Sequence, residues 1–174
     1  MKMQFTYNIF LIGFMGSGKS TVADYLCEKF DMDVVEMDQV IAERERMSIS
    51  DIFEKHGELY FRDLETKLLV ELQEKTNTVV SCGGGVAMRE CNVTEMKKNG
   101  KVVLLTAKPE TILERVENNH DRPLLENNKT VAYIAELMGK RREKYEAAAD
   151  MIIETDGKSA QKICEEMIQR LGEQ

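Results

Sequence analysis

The stretch Gly13-Phe14-Met15-Gly16-Ser17-Gly18-Lys19-Ser20-Thr21 follows directly on the apolar run Asn8-Ile9-Phe10-Leu11-Ile12. A glycine, four residues and then Gly-Lys-Ser form the pattern of a phosphate-binding loop. It requires a buried strand before it and a helix after it, and both are predicted here. The glycines at 13, 16 and 18 open backbone angles closed to other residues and let main-chain N–H groups approach an anion. A helix beginning near Lys19 adds its positive N-terminal end to the same point. On this pattern Lys19 reaches the β- and γ-phosphates of a nucleoside triphosphate, and the Ser20 hydroxyl binds Mg²⁺. Gly16, Ser17, Gly18 and Thr21 complete the expected cradle. The plainer alternative, a glycine-rich turn that holds nothing, does not account for Lys and Ser in register with the strand.

The rest of the chain alternates between two periods. Short apolar runs predict strands at 8–12, 34–37, 78–82, 101–106 and 151–154. Between them, helical spacing predicts helices at 21–30, 39–46, 48–57, 58–75, 90–99, 109–118, 131–149 and 159–171. Val22, Leu26, Cys27 and Phe30 form one apolar stripe, and Phe61, Leu64, Leu68 and Leu72 another. Residues 120–129 carry no apolar period and read as an exposed loop. Five buried strands alternating with helices imply an α/β fold with a parallel sheet covered on both faces and ligands at the strand C-terminal ends. At 174 residues, a single domain spanning 1–174 is expected.

The net charge of −7 argues against broad attraction to nucleic acid or an anionic membrane. An acidic protein that handles phosphates must gather its cations locally. The four cysteines form no CxxC pair and read as reduced thiols, with Cys27 and Cys164 buried in helices. Lys2 and the apolar residues 9–15 make too short a leader, with no small-residue cleavage site. No run approaches the roughly 20 apolar residues of a membrane span. The cytoplasm is the expected location.

Function is expected just beyond each strand. Glu36 and Asp38 alternate at the end of the second strand, so both carboxylates can face one way. One could help hold Mg²⁺ through water, and the other could accept a proton from an attacking hydroxyl. Asp38 could equally cap the next helix. The third strand ends without the carboxylate that phosphate-loop enzymes often place there and delivers Gly83-Gly84-Gly85 instead. That run reads either as a flexible turn or as bare backbone for a ligand to approach. Arg62 lies at the edge of the Phe61 stripe, Arg115 on the helix leading into the loop, Arg122 within the loop, and Arg141 on the following helix. Each could be an ordinary solvated arginine.

Taken in series, these pieces resemble the shikimate kinase family. The resemblance rests on the phosphate loop, Glu36-Met37-Asp38, Gly57-Glu58-Leu59-Tyr60-Phe61-Arg62, Gly83-Gly84-Gly85, Arg122-Pro123-Leu124-Leu125 and Arg141-Arg142-Glu143-Lys144-Tyr145. It covers nearly the whole chain. It implies a P-loop kinase fold, three-layered, with a five-stranded parallel sheet in the order 2-3-1-4-5. It also implies a substrate-binding region at about 38–65 and a mobile lid at about 120–129. The implied reaction moves the γ-phosphoryl group of ATP to the 3-hydroxyl of shikimate, on the route to aromatic amino acids, with Mg²⁺ as cofactor and the enzyme a monomer. Carried over by residue, Lys19, Asp38 and Arg122 are catalytic and Arg115 and Arg122 join the ATP site, Arg115 stacking on adenine. Arg62, Arg141 and Gly83–Gly85 bind the substrate with Asp38, and Ser20 and Glu36 serve the metal. The family usually has Asp where this chain has Glu36, and 155–158 lacks the Arg and Pro often found near adenine. The alternatives are a gluconate or nucleoside-monophosphate kinase and a non-catalytic nucleotide-binding module. A guanine-specific switch is disfavoured because Asn128-Lys129-Thr130-Val131 lacks the needed final Asp.

Overall fold

The computed structural model describes residues 4–117 and 130–172. The expected loop at 120–129, with Arg122, lies outside the described residues. The strands are β1 (Asn8–Ile12), β2 (Asp33–Glu36), β3 (Thr78–Ser81), β4 (Gly100–Thr106) and β5 (Met151–Glu154). They form one all-parallel sheet in the order β2-β3-β1-β4-β5. The helices, in chain order, are α1 (Lys19–Phe30), α2 (Met37–Glu45), α3 (Ile49–His56), α4 (Glu58–Glu71), α5 (Glu90–Lys98), α6 (Pro109–Val116), α7 (Val131–Ala148) and α8 (Ala160–Gly172).

The central strand shows why two helical layers are needed. Its side chains alternate between faces, and all five residues are buried. Ile9 and Leu11 pack with Val22 and Leu26 of α1 and with Ile163 and Met167 of α8. Phe10 and Ile12 point the other way, against Phe61 and Leu68 of α4, Met96 of α5 and Ile134 of α7. Burying a side chain of this size contributes about 1.5–3 kcal/mol, so neither face can be left wet. The continuous apolar run of β1 is the signature of such a two-sided strand.

Three local expectations change. The predicted stripe of α1 included Cys27, but Cys27 is exposed, while Val22, Ala23 and Leu26 are buried. The helix starts at Lys19, two residues earlier than its period indicated; Cys27 lies about 100° round it from Leu26, at the edge of the stripe, and faces solvent. The helix expected over 58–75 ends at Glu71 and tightens into a 3₁₀ turn, Leu72–Glu74. The strand expected at 34–37 ends at Glu36, and α2 begins at Met37. Glu36 therefore holds the cap position and Asp38 lies inside the first helical turn, so Asp38 is not the N-cap.

Other start signals act as the sequence indicated. Ser48 accepts a hydrogen bond from Asp51 N at 3.1 Å and starts α3, Thr130 does the same for Tyr133 N at 3.1 Å, and Pro109 opens α6. No side chain caps α1, which follows Gly18 in the left-handed conformation (φ 102°). Its first N–H groups are thus left for the loop and whatever the loop binds. The sheet order puts the C-terminal ends of β1, β2 and β3 side by side, where the crevice of an open α/β sheet forms.

Candidate active site

A cleft of about 280 Å³ opens at those strand ends. The phosphate loop supplies one wall through Gly16, Gly18, Lys19, Ser20 and Thr21. The opposite wall is Glu36, Asp38 and the start of the glycine run, Gly83 and Gly84, with Arg115 at the rim. The loop is wedged tightly against β4. Gly13 has φ 146°, and a Cβ there would fall 2.4 Å from the Leu105 carbonyl oxygen, so only glycine fits. The Lys19 ammonium donates to the carbonyls of Gly13 (2.6 Å) and Phe14 (3.2 Å), which holds it along the loop. Arg115 donates to Gly16 O at 2.9 Å and to Thr155 Oγ1 at 3.2 Å. It therefore ties the loop to the end of β5. Ser17, expected in the same cradle, does not line the cleft: its N–H donates to Phe14 O, and its side chain is buried on the β4 side.

Glu36 and Ser20 meet across the cleft. Glu36 pairs in register with Ser81 of β3, and the hydroxyls of Ser20 and Ser81 lie near its carboxylate and favour its charged form. Burial raises the Glu36 carboxyl above its ordinary value, the two hydroxyls oppose this, and Asp24 and Asp38 add to it. β3 ends in Ser81 rather than a carboxylate. The acid comes instead from β2, two strands from β1 or roughly 9–10 Å away. A glutamate spans that distance better than an aspartate. A hydroxyl beside a carboxylate is a hard oxygen set, suited to Mg²⁺ that keeps some of its water.

The glycine run organises the remaining groups. A Cβ at Gly83 would lie 2.7 Å from Glu65 Oε2 and 2.8 Å from Asp38 Oδ1. At Gly84 it would meet Arg141 Nη1 at 2.8 Å, and at Gly85 it would sit 2.4 Å from the Arg62 guanidinium carbon. Each glycine thus clears space for one expected site residue, and Asp38, Arg62 and Arg141 come together from α2, α4 and α7. The Tyr145 hydroxyl donates to Gly84 O and accepts from Arg141 at 3.5 Å, while the Arg141 guanidinium lies 5.7 Å over the Phe14 ring. Arg62 lies 5.3 Å from the centre of the Phe61 ring and donates to Glu58 (3.1 and 3.2 Å) and Glu65 (2.8 Å). Three of its five N–H groups are engaged there, which leaves two for an anion.

Glu65 was not identified as a site residue. It lies four residues after Phe61 and three before Leu68, on the buried stripe of α4, and is fully buried. A carboxylate at that phase, three residues after Arg62, was the signal available. Burial pushes Glu65 up to about 7, against the pull of Arg62 and with Asp38 adding to the push.

The sequence profile of the family described as shikimate kinase matches residues 15–172. The chain belongs to the shikimate kinase family. Members of that family are ATP-dependent phosphotransferases. Among curated relatives, a shikimate kinase of Persephonella marina is 44% identical over 164 residues, covering 94% of this chain and 98% of the relative. One from Sulfurihydrogenibium is 43% identical, covering 94% and 97%. The solved shikimate kinase of Acinetobacter baumannii in complex with shikimate superposes with a TM-score of 0.90 at 33% identity, covering 95% of this chain and 92% of that one. The order β2-β3-β1-β4-β5 is the one the family resemblance implied.

The raised Glu65 value makes a stability prediction. A carboxyl that titrates near 7 in the fold and near 4.5 when unfolded favours folding most below pH about 4.5, and loses that contribution as pH rises through about 7. The loss amounts to roughly 3 kcal/mol. Urea unfolding of the wild type between pH 4.5 and 8 is expected to show this decline, and Glu65→Gln to flatten it. Parallel pH profiles for the two proteins would contradict it.

Proposed function

We propose that this chain is a shikimate kinase that moves the γ-phosphoryl group of ATP to the 3-hydroxyl of shikimate. The observation that carries this reading is the convergence of Arg62, Arg141 and Asp38 on the Gly83–Gly85 turn, beside the phosphate loop. Two guanidinium groups against a bare backbone suit a planar carboxylate. A carboxylate on the adjoining wall suits a hydroxyl. Gluconate and nucleoside monophosphates would use the same loop but do not account for this three-sided arrangement.

In this reading the triphosphate lies against the phosphate loop with Lys19 turned toward its β- and γ-phosphates. Ser20 and Glu36 hold Mg²⁺, which would neutralise phosphate charge when bound. Arg62 and Arg141 grip the shikimate carboxylate and so aim its 3-hydroxyl at Asp38. As the hydroxyl oxygen bonds to the γ-phosphorus, the bond to the β-phosphate oxygen breaks, ADP departs and Asp38 takes the hydroxyl proton. Positioning supplies most of the acceleration, because the transition state is loose and asks little covalent chemistry of the protein. Arg115 flanks the adenine from the rim. Arg122, outside the described residues, keeps the charge-stabilising role that the family resemblance implies. The reading includes action as a monomer, supported by a cleft built from one chain, and location in the cytoplasm, supported by four free cysteines.

ADP release from Mg-ATP is expected with shikimate and not with gluconate, AMP, CMP or no acceptor; release with any of those instead of shikimate would overturn the acceptor. Asp38→Asn is expected to lower kcat by about 10²–10⁴ with ATP binding retained. Near-normal turnover would remove Asp38 from proton transfer.

A further inference from the structure

Helix α5 turns two side chains into the core, Asn92 and Met96, one turn apart. Asn92 is fully buried, and both ends of its amide are engaged. Its Nδ2 donates to Val86 O at 2.9 Å, and its Oδ1 accepts from the Thr66 hydroxyl at 2.7 Å. A carbonyl can only accept, so the amide must stand in this orientation. Thr66 Oγ1 in turn accepts from Arg89 Nη1 at 3.2 Å and lies 3.2 Å from Arg62 O. Burying an amide is costly unless it is paired, and here the pairing joins two parts of the site. Val86 opens the 3₁₀ turn Val86–Met88 and follows directly on Gly85, against which the Arg62 guanidinium lies. Thr66 stands one turn beyond Arg62 on α4, next to Glu65.

The same segment is held from its other side by α7. Tyr145 donates to Gly84 O, and Lys144 Nζ donates to Met88 O at 3.0 Å. The glycine run thus lies between α7, which carries Arg141, and α4, which carries Arg62. We propose that Asn92 is a positioning residue for the acceptor. Through Val86 on one side and Thr66 on the other, it fixes α4 against the glycine run and so sets the distance between the two guanidinium groups. Two forks grip one planar carboxylate only at a matching spacing, and a misplacement of about 1 Å can cost on the order of 10²-fold. Asn92 does not line the cleft, so it acts on the acceptor through Arg62 and leaves the nucleotide contacts alone. The identity of the acceptor rests on the function proposed above; the link between α4 and the turn does not.

Steady-state kinetics of the full chain with Mg-ATP test this, on variants that break the link from either end. The acceptor is fixed first on the wild type. Shikimate is expected; a different acceptor overturns the function proposed above, and the variants are then measured with that acceptor. Thr66→Val removes the hydroxyl at nearly constant volume and is expected to raise the acceptor KM about fivefold, and Asn92→Leu about tenfold or more. In both, kcat is expected to change less than that KM, and the KM for ATP to stay within about twofold. Thr66→Ser, which keeps the hydroxyl, is expected to behave as the wild type. Both substitutions break one chain of contacts, so the double variant is expected to raise the acceptor KM no further than Asn92→Leu alone.

A purely structural role for Asn92 predicts a lower melting temperature with both KM values unchanged. That result in Thr66→Val would overturn the proposal, even where Asn92→Leu fails to fold. A parallel rise in the KM for ATP, or no recovery in Thr66→Ser, would overturn it as well.

Discussion

A side chain at position 83, 84 or 85 would occupy space that the charged groups of the cleft need. The bare backbone after β3 is therefore the constraint on which the site depends. Asp38, Arg62, Glu65 and Arg141 come from three helices far apart in the chain, and each lies within contact distance of one of those three positions. Three consecutive glycines are entropically expensive to order. The cost is offset because β3 is buried and paired on both sides, which anchors one end of the turn. Tyr145 anchors its middle through the carbonyl of Gly84.

The electrostatics follow from crowding these groups together. Glu65 is fully buried, Arg62 is largely buried, and the two pair at 2.8 Å. A buried pair of this kind adds little net stability, because desolvation offsets much of the attraction. Its effect is to hold the Arg62 guanidinium in one orientation, with Glu58 bracing the other edge and Phe61 one face. Asp38 stands across Gly83 from Glu65, so two acids share one small region. Only a protein that gathers its cations at that point can bring two anionic substrates into a chain of net charge −7.

Much of this was legible in the sequence, for identifiable reasons. The central strand stood out because burial on both faces demands an unbroken apolar run; β5 (Met151–Glu154), at the sheet edge and buried on alternate residues only, also fell where its run predicted. The phosphate loop was visible because its glycines and lysine act through backbone geometry that is local in sequence. Arg62 and Arg141 could not be told from solvated arginines by spacing alone, since what distinguishes them is contact with Gly85 and Gly84. Glu65 stayed hidden because carboxylates rarely occupy a buried stripe, so the period was read from its apolar members. The orientation of Ser17 was hidden too: the motif places its backbone, but packing against β4 sends its hydroxyl to the opposite side. Cys27 was misplaced because it sits about 100° round α1 from Leu26, at the edge of the apolar stripe, where the period alone does not decide burial.

The central claim is that the glycine run exists to leave room for carboxylate-binding arginines, and position 85 tests it most directly. Gly85 has a φ of −98°, so alanine is tolerated by the backbone, and the nearest atoms to its methyl group would be those of the Arg62 guanidinium, at 2.4–2.6 Å. Calorimetric titration of Gly85→Ala is expected to show shikimate affinity reduced about tenfold or more, with Mg-ATP affinity held within about twofold. Shikimate bound as tightly by Gly85→Ala as by the wild type would contradict the account.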